Sequence, residues 1–214
     1  MFKETDLGFC LQGKNHFVFF GKKNCAVEDL KKTYPTFEFR QTKQTHSDIL
    51  IQSTPASESI EADAQYSTDT NIALVVRTAD CIPALVHNAE TGLVLGVHAG
   101  WRGVENKILL KSLKHLNLRQ NLDIYVGPHI LQNSFQVDLE VKNKLQPTSD
   151  QFYERNNKFY IDLKSILTQQ IQSFADFKMS ALEIDTQSDL RFNSFRRDKE
   201  NSGRNLSFIV KTNA

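Results

Sequence analysis

A thiol and an imidazole, two groups that do chemistry near neutral pH, stand at the ends of two neighbouring apolar runs. Cys81 heads Ile82-Pro83-Ala84-Leu85-Val86, and His98 follows Leu93-Val94-Leu95-Gly96-Val97. Such runs, bounded by polar turn residues, read as buried strands. If they pair antiparallel across the turn at 88–92, Cys81 and His98 meet at one end of the hairpin. The candidate third member is His46, within Lys43-Gln44-Thr45-His46-Ser47-Asp48.

The residues alone leave three accounts of this trio open. Two histidines and a cysteine form an acceptable catalytic zinc set, because three protein ligands leave a fourth position free. Imidazole and thiolate also suit zinc or copper better than magnesium, although the spacing is not that of a zinc finger. A thiol hydrolase, with Cys81 as nucleophile and His98 as its base, would use the same atoms. A buried cysteine with two unrelated histidines would need no activity at all.

Cationic groups accompany the trio. Arg102 lies in Gly100-Trp101-Arg102-Gly103, and Arg196 and Arg197 follow Phe192-Asn193-Ser194-Phe195. Guanidinium groups fix phosphate or carboxylate in a two-pronged fashion, and a helix beginning after Gly103 would offer its N-terminus to an anion. Arg77-Thr78-Ala79-Asp80 is a charged segment between two apolar strands. It predicts an internal ion pair or a cleft wall. Asp80 either pairs with Arg77 or orients a ligand.

The elements that must position these residues follow from periodicity and turn chemistry. Strands are expected at 16–21, 37–40, 71–76, 82–86, 93–97, 122–126, 181–185 and 206–210, with the almost continuous run at 71–76 a central strand. Helices are expected at 27–32, 104–116 and 135–145, and another from 159 onward with Leu163, Ile166, Leu167 and Ile171 as its apolar stripe. Residues 53–60 read as a mobile surface loop, and His129 as a surface residue.

With 214 residues, 40% hydrophobic and 24% charged, the chain suits one globular domain over 1–214. A formal net charge of +1 gives no argument for nucleic acid or a membrane surface as partner. Cys10, Cys25 and Cys81 have no paired spacing, which points to a reducing compartment, with Cys10 and Cys25 as small hydrophobes. No signal-like run opens the chain and no stretch approaches the roughly 20 apolar residues of a membrane span, so a cytoplasmic location is expected. No GxxxxGK[ST] loop, GxGxxG turn or GxSxG elbow occurs, which leaves the usual nucleotide folds and serine hydrolases unsupported.

Several blocks in order, Lys43-Gln44-Thr45-His46-Ser47, Glu61-Ala62-Asp63-Ala64, Arg77-Thr78-Ala79-Asp80-Cys81-Ile82-Pro83, Val97-His98-Ala99-Gly100-Trp101-Arg102-Gly103, Gly127-Pro128 and Ser194-Phe195-Arg196-Arg197 through Gly203-Arg204, carry a resemblance over nearly the whole chain. Together they resemble the multicopper polyphenol oxidase (laccase) domain family, that of the bacterial YfiH proteins, also called peptidoglycan editing factor. The resemblance implies an α/β fold, a single domain with mixed β-sheets layered between helices. It implies zinc held by His46, Cys81 and His98, which are then also the catalytic residues. It implies a purine nucleoside phosphorylase acting on adenosine, inosine and methylthioadenosine, with adenosine deaminase activity beside it. For that reaction Arg102, Arg196, Arg197 and Asp80 are the expected substrate-binding residues, and a purine nucleoside and phosphate the partners of a monomer or small homo-oligomer. Copper is the lesser expectation, since the chain lacks the many histidines of a multicopper centre. A Cys/His thiol hydrolase or a peptidoglycan-precursor editing factor is the alternative. Two segments depart from the family pattern: its Gly-Pro-Cys-Cys-Tyr-Glu stretch is here Gly127-Pro128-His129-Ile130-Leu131-Gln132, and a later Cys-Thr pair is Asp185-Thr186.

Overall fold

Strands with apolar side chains on both faces must be covered on both faces, and the computed structural model, which describes residues 1–56 and 60–213, covers them by stacking two sheets between helices. The first sheet has the order Lys3–Glu4, Gly8–Gln12, His16–Gly21, Asn205–Lys211, Ile72–Thr78, Glu38–Gln41. The second has the order Phe177–Ala181, Leu122–Val126, Ile82–Asn88, Val94–Ala99, Ala64–Ser67, Leu50–Gln52. A small third sheet joins Gln136–Val137, Lys158–Ile161 and Phe152–Arg155.

Alternation along each strand assigns the faces. Val18, Phe20, Leu74 and Val76 of the first sheet meet Leu85, Val94 and Tyr125 of the second in a shared core. Phe19, Val75 and Phe208 point the other way and pack on Leu30 of the helix Val27–Thr33. Ala84, Val86, Leu95 and Val97 form the outer face of the second sheet, beneath Leu109 and Leu113 of helix Ile108–His115 and Ile166 and Leu167 of helix Leu163–Gln172. The mixed α/β architecture is the one the resemblance implies. Among the described residues no helix is long and apolar enough to cross a membrane.

The hairpin on which the site depends forms as its turn residues dictate. Ile82 pairs with Ala99 and Pro83 with His98 in antiparallel register. Gly92, at φ 68°, closes the turn by donating its N–H to Asn88 O at 2.9 Å, a conformation that glycine adopts without steric cost.

Four expected elements are corrected. The helix expected at 104–116 is two, Trp101–Glu105 and Ile108–His115, because Lys107 takes a left-handed conformation (φ 59°) between them. Trp101 and Arg102 are therefore helical, in a segment of five residues too short to serve as an anion site by its dipole. At 135–145 a strand, Gln136–Val137, precedes a helix, Leu139–Leu145, and at 158–172 a strand, Lys158–Ile161, precedes Leu163–Gln172. In both cases an aspartate sets the boundary: Asp138 accepts from Val141 N at 3.0 Å and Asp162 from Ser165 N at 2.9 Å. N-capping overrode the apolar pattern. The late strand is Phe177–Ala181, parallel to Leu122–Val126, and the chain leaves that sheet before 185. Strand Ile72–Thr78 lies second from a sheet edge. Of the loop expected at 53–60, Ser57, Glu58 and Ser59 lie outside the described residues, while Ser53 is buried and bonds Gln65 Oε1 at 2.8 Å. His129 is also buried, its Nδ1 2.8 Å from Gly127 O, because its backbone bridges to Asp185.

Between the two sheets, far along the strands from the cysteine end of the hairpin, His16 and His87 stack at 4.0 Å between ring centroids, and His16 Nε2 lies 2.8 Å from Tyr125 OH. Burial, aided by the charge of its neighbour His87, pushes His16 down to about 4, and burial lowers His87 against the pull of Asp123. Since both folded-state values lie below the unfolded value of about 6.5, the neutral pair favours folding fully above pH ~6.5, and this contribution is lost as pH falls toward 4. Its expected size is a few kcal/mol. Urea unfolding should show the midpoint falling between pH 6.5 and 5 in the native protein and falling less in His16→Gln; equal pH dependence in both would contradict it.

Candidate metal centre

The hairpin register places Cys81, just before Ile82, next to His98. His46 arrives from the segment after strand Glu38–Gln41, which is pinned alongside the approach to Ala64–Ser67: Lys43 N donates to Ile60 O at 2.9 Å and Ala62 N to Lys43 O at 3.2 Å. Gln44 ties the same segment to the strand before Cys81, its amide bonding both Arg77 O (2.8 Å) and Arg77 N (2.9 Å). The outcome is a cluster in which one ligand atom each of His46, Cys81 and His98 lies within 4.8 Å of the others. His46 Nε2 is 3.8 Å from Cys81 Sγ.

Asp63 organises the cluster. Its side chain is fully buried, and Oδ1 lies 2.7 Å from His98 Nδ1 and accepts His46 N at 3.1 Å. Oδ2 accepts Thr45 N (3.1 Å), Ser47 N (2.6 Å) and Ser47 Oγ (2.7 Å). Those bonds hold His46 at φ 61°, a backbone conformation that a non-glycine residue adopts at a cost. Asp63 occurs in a block that carries the family resemblance. The physical signal was there: a lone acid between two alanines at the head of a buried strand must be paired.

Electrostatics set the thiol apart. Burial raises the Cys81 thiol, but the positive charge of His98 and the hydrogen bond from His46 outweigh it and bring it down to about 6. Burial lowers His98, but the Cys81 charge and the Asp63 bond outweigh it and bring it up to about 9. Asp63 stays well below the usual carboxylate range: burial opposes ionisation, and the bonds from His98 and Ser47 overcome it. Cys25, by contrast, is buried in the core and pushed up to about 12, the inert thiol that its sequence context suggests.

This donor set fits a metal ion. Asp63 engages His98 Nδ1, which leaves Nε2 as the ligand atom, the arrangement by which a carboxylate orients and strengthens a metal-binding imidazole. The backbone is also cut away: a Cβ at Gly100 would lie 2.9 Å from His46 Cδ2 and 3.0 Å from Cys81 Sγ. Among the described residues this is the one group of three or more such side chains close enough to share an ion.

A cavity of about 530 Å³ opens at the cluster, walled by Trp101, Ile130, Phe135, Leu163 and Phe195 on its apolar side. Arg102 and Arg196 line it, as do Arg77, Arg204 and Lys199, the last a residue that the sequence gives no reason to place there. The Arg102 guanidinium lies 4.4 Å over the Trp101 ring, and Arg196 Nη1 donates to Gln136 O at 2.8 Å. Arg197 is not on the wall: it donates to Thr186 O, Gln187 O, Phe192 O and the Asp198 carboxylate, bracing its own loop. Asp80 does line the cavity, at φ 87°, and its carboxylate pairs with no Arg77 nitrogen, accepting Thr186 Oγ1 at 2.7 Å and Arg196 N at 2.6 Å instead. The segment expected to form an ion pair or a cleft wall forms the wall.

Two substitutions test this geometry through bound metal. Asp63→Ala and Gly100→Ala should each lower zinc affinity roughly 10- to 100-fold in a metal-competition titration, with Gly100→Ala keeping the native circular dichroism. Native affinity in Gly100→Ala would mean that the donors converge elsewhere.

The chain is 27% identical over 199 residues to a purine nucleoside phosphorylase of Clostridium acetobutylicum, covering 88% of this chain and 83% of the relative. It is 32% identical over 177 residues to a purine nucleoside phosphorylase of Haemophilus influenzae, covering 78% and 71%. In fold it is similar to the hypothetical protein YfiH of Bacillus licheniformis, with a TM-score of 0.88, 20% identity and 99% of each chain covered. It is likewise similar to YlmD from Geobacillus stearothermophilus, with a TM-score of 0.86, 19% identity and 99% of each chain covered. The profile of one family matches residues 22–212, a span holding the donor trio, Asp63 and every cavity residue named above, so the chain belongs to the multi-copper polyphenol oxidoreductase laccase family.

Proposed function

We propose that the chain is a zinc-dependent purine nucleoside phosphorylase that cleaves adenosine, inosine or methylthioadenosine with phosphate. The observation that carries this reading is the composition of the cavity at the cluster, which is lined by the three metal donors, several cations and the aromatic rings of Trp101, Phe135 and Phe195. The names of the two relatives support the reaction class. Copper oxidation of phenols draws no support from a single three-donor group, because a multicopper centre needs several.

In phosphorolysis a phosphate oxygen bonds to the ribose C1′ as the C1′–N9 bond breaks, and the bond's electron pair leaves with the purine, which takes up a proton. His46, Cys81 and His98 would hold the ion, Cys81 as thiolate; when bound, it supplies Lewis acidity at the Cys81 end of the cavity. Arg196 and Arg102 hold phosphate negative charge close to C1′, which removes the entropic cost of bringing two reactants together. Phe135 offers a flat ring and Ile130 an apolar surface to the base, and both keep water from competing with phosphate.

Deamination of adenosine is served less well. It calls for an acidic side chain free to move protons; Asp80 is the one carboxylate among the described cavity residues, and both of its oxygens already accept hydrogen bonds. One observation favours a second reading, a thiol hydrolase: Cys81, His98 and Asp63 stand in the order nucleophile, base, orienting acid.

Incubating protein of measured metal content with adenosine and phosphate separates these. Phosphorolysis predicts adenine and ribose 1-phosphate in equal amounts, little ammonia, and loss of both zinc and turnover in Cys81→Ser, by on the order of 10³-fold in kcat. Full turnover in metal-free protein, abolished by thiol alkylation, would establish the hydrolase instead.

A further inference from the structure

Five cations line the cavity, but they are not equivalent. Arg102, Lys199 and Arg204 are exposed, where water solvates them. Arg102 stacks on Trp101, and Arg204 Nη1 donates to Ser202 O and Gly203 O. Arg196 is half-buried and has a carbonyl acceptor in Gln136. Arg77 is half-buried too, yet its Nε is shut off from solvent and its guanidinium has no acceptor among the described residues.

A shielded guanidinium N–H without an acceptor is a cost, since an unmet buried donor is destabilising. The fold nevertheless fixes this one firmly. Arg77 sits in strand Ile72–Thr78, opposite Leu206 of the neighbouring strand, and Gln44 clamps its backbone N–H and C=O. The one carboxylate on the cavity wall, Asp80, is turned to Thr186 and Arg196 N and is not its partner. Because Arg77 lines the cavity, the acceptor it lacks is one that a ligand brings. Gln44, its backbone clamp, lines the cavity with it and is two residues from His46 of the donor trio, whereas Lys199 and Arg204 are exposed.

We propose that Arg77 is the residue that anchors phosphate in this cavity, with Arg196 as its second contact and Arg102 at the mouth. The assignment rests on the phosphorolytic reading above. The forked edge of a guanidinium, Nε–H with one Nη–H, matches two oxygens of a phosphate, and a strand position gives it less freedom than the loop cations have. The phosphate could be the free co-substrate or a group carried by the nucleoside, and the proposal is for the free ion.

Calorimetric titration of the zinc-loaded protein with inorganic phosphate, adenosine and adenosine 5′-monophosphate tests it in the native chain, Arg77→Met and Arg77→Lys. Arg77→Met should weaken inorganic phosphate roughly 10- to 100-fold, with Arg77→Lys intermediate, while adenosine affinity and zinc content stay native. Native phosphate affinity in Arg77→Met would overturn the proposal, as would loss of zinc or adenosine binding in both variants. So would a loss confined to adenosine 5′-monophosphate. Phosphate held through Arg77 without any ribose 1-phosphate formed would sink the phosphorolytic reading and leave the anchor standing; ribose 1-phosphate formed by Arg77→Met at native phosphate KM would do the reverse.

Discussion

The buried carboxylate of Asp63 is the interaction on which the site depends. One side chain receives the imidazole of His98 and the backbone of three consecutive residues, Thr45, His46 and Ser47, with the Ser47 hydroxyl added. It thereby ties the segment that carries His46 directly to the hairpin that carries Cys81 and His98, in addition to the link through strands Leu50–Gln52 and Ala64–Ser67 in the same sheet. A buried anion is costly alone, and here each bond it accepts offsets that cost while fixing something the site uses. It holds His46 in a left-handed backbone conformation, fixes which nitrogen of His98 faces Cys81, and places negative charge behind an imidazole that would bind a cation.

The cavity rim depends on a second set of carboxylates. Asp80 joins the Thr186 hydroxyl to the backbone of Arg196, so the loop bearing the cationic wall is tied to the residue beside Cys81. Asp185 accepts Leu131 N, Ser134 Oγ and Ser188 Oγ. Its backbone bridges that of His129, so the two segments in which this chain departs from the family's cysteine-containing pattern lie side by side. A hydrogen-bonded aspartate and a buried histidine occupy that corner, and the donor trio is untouched by the exchange.

The hairpin and the two-face burial of the main strands were legible in the sequence because each rests on local pattern, apolar runs and a glycine able to take positive φ; the trio's residue types suit metal or thiol chemistry, but only the family resemblance joins His46 to the other two as a ligand. Much that was missed depends on contacts between distant segments. Asp63 and Arg77 acquire their roles only when the His46 segment is brought against the hairpin, and the distances in sequence give no hint of that meeting. Arg197, read as a ligand-facing cation, stands beside Arg196, yet only Arg196 lines the cavity; helical geometry separates neighbours that a linear reading groups together. Helix boundaries differ for a local reason: Asp138 and Asp162 cap helices, and apolar periodicity does not mark a cap.

Cobalt(II) substitution examines the central claim most directly, because it reads the ligands and not the turnover. If His46, Cys81 and His98 converge on one ion with a position left open, the cobalt protein should show the intense visible bands of a four-coordinate site and a thiolate-to-cobalt charge-transfer band. That charge-transfer band should vanish in Cys81→Ser, and the visible bands should shift when adenosine and phosphate are added. A weak, octahedral-type cobalt spectrum without a thiolate band, unchanged in Cys81→Ser, would contradict the account.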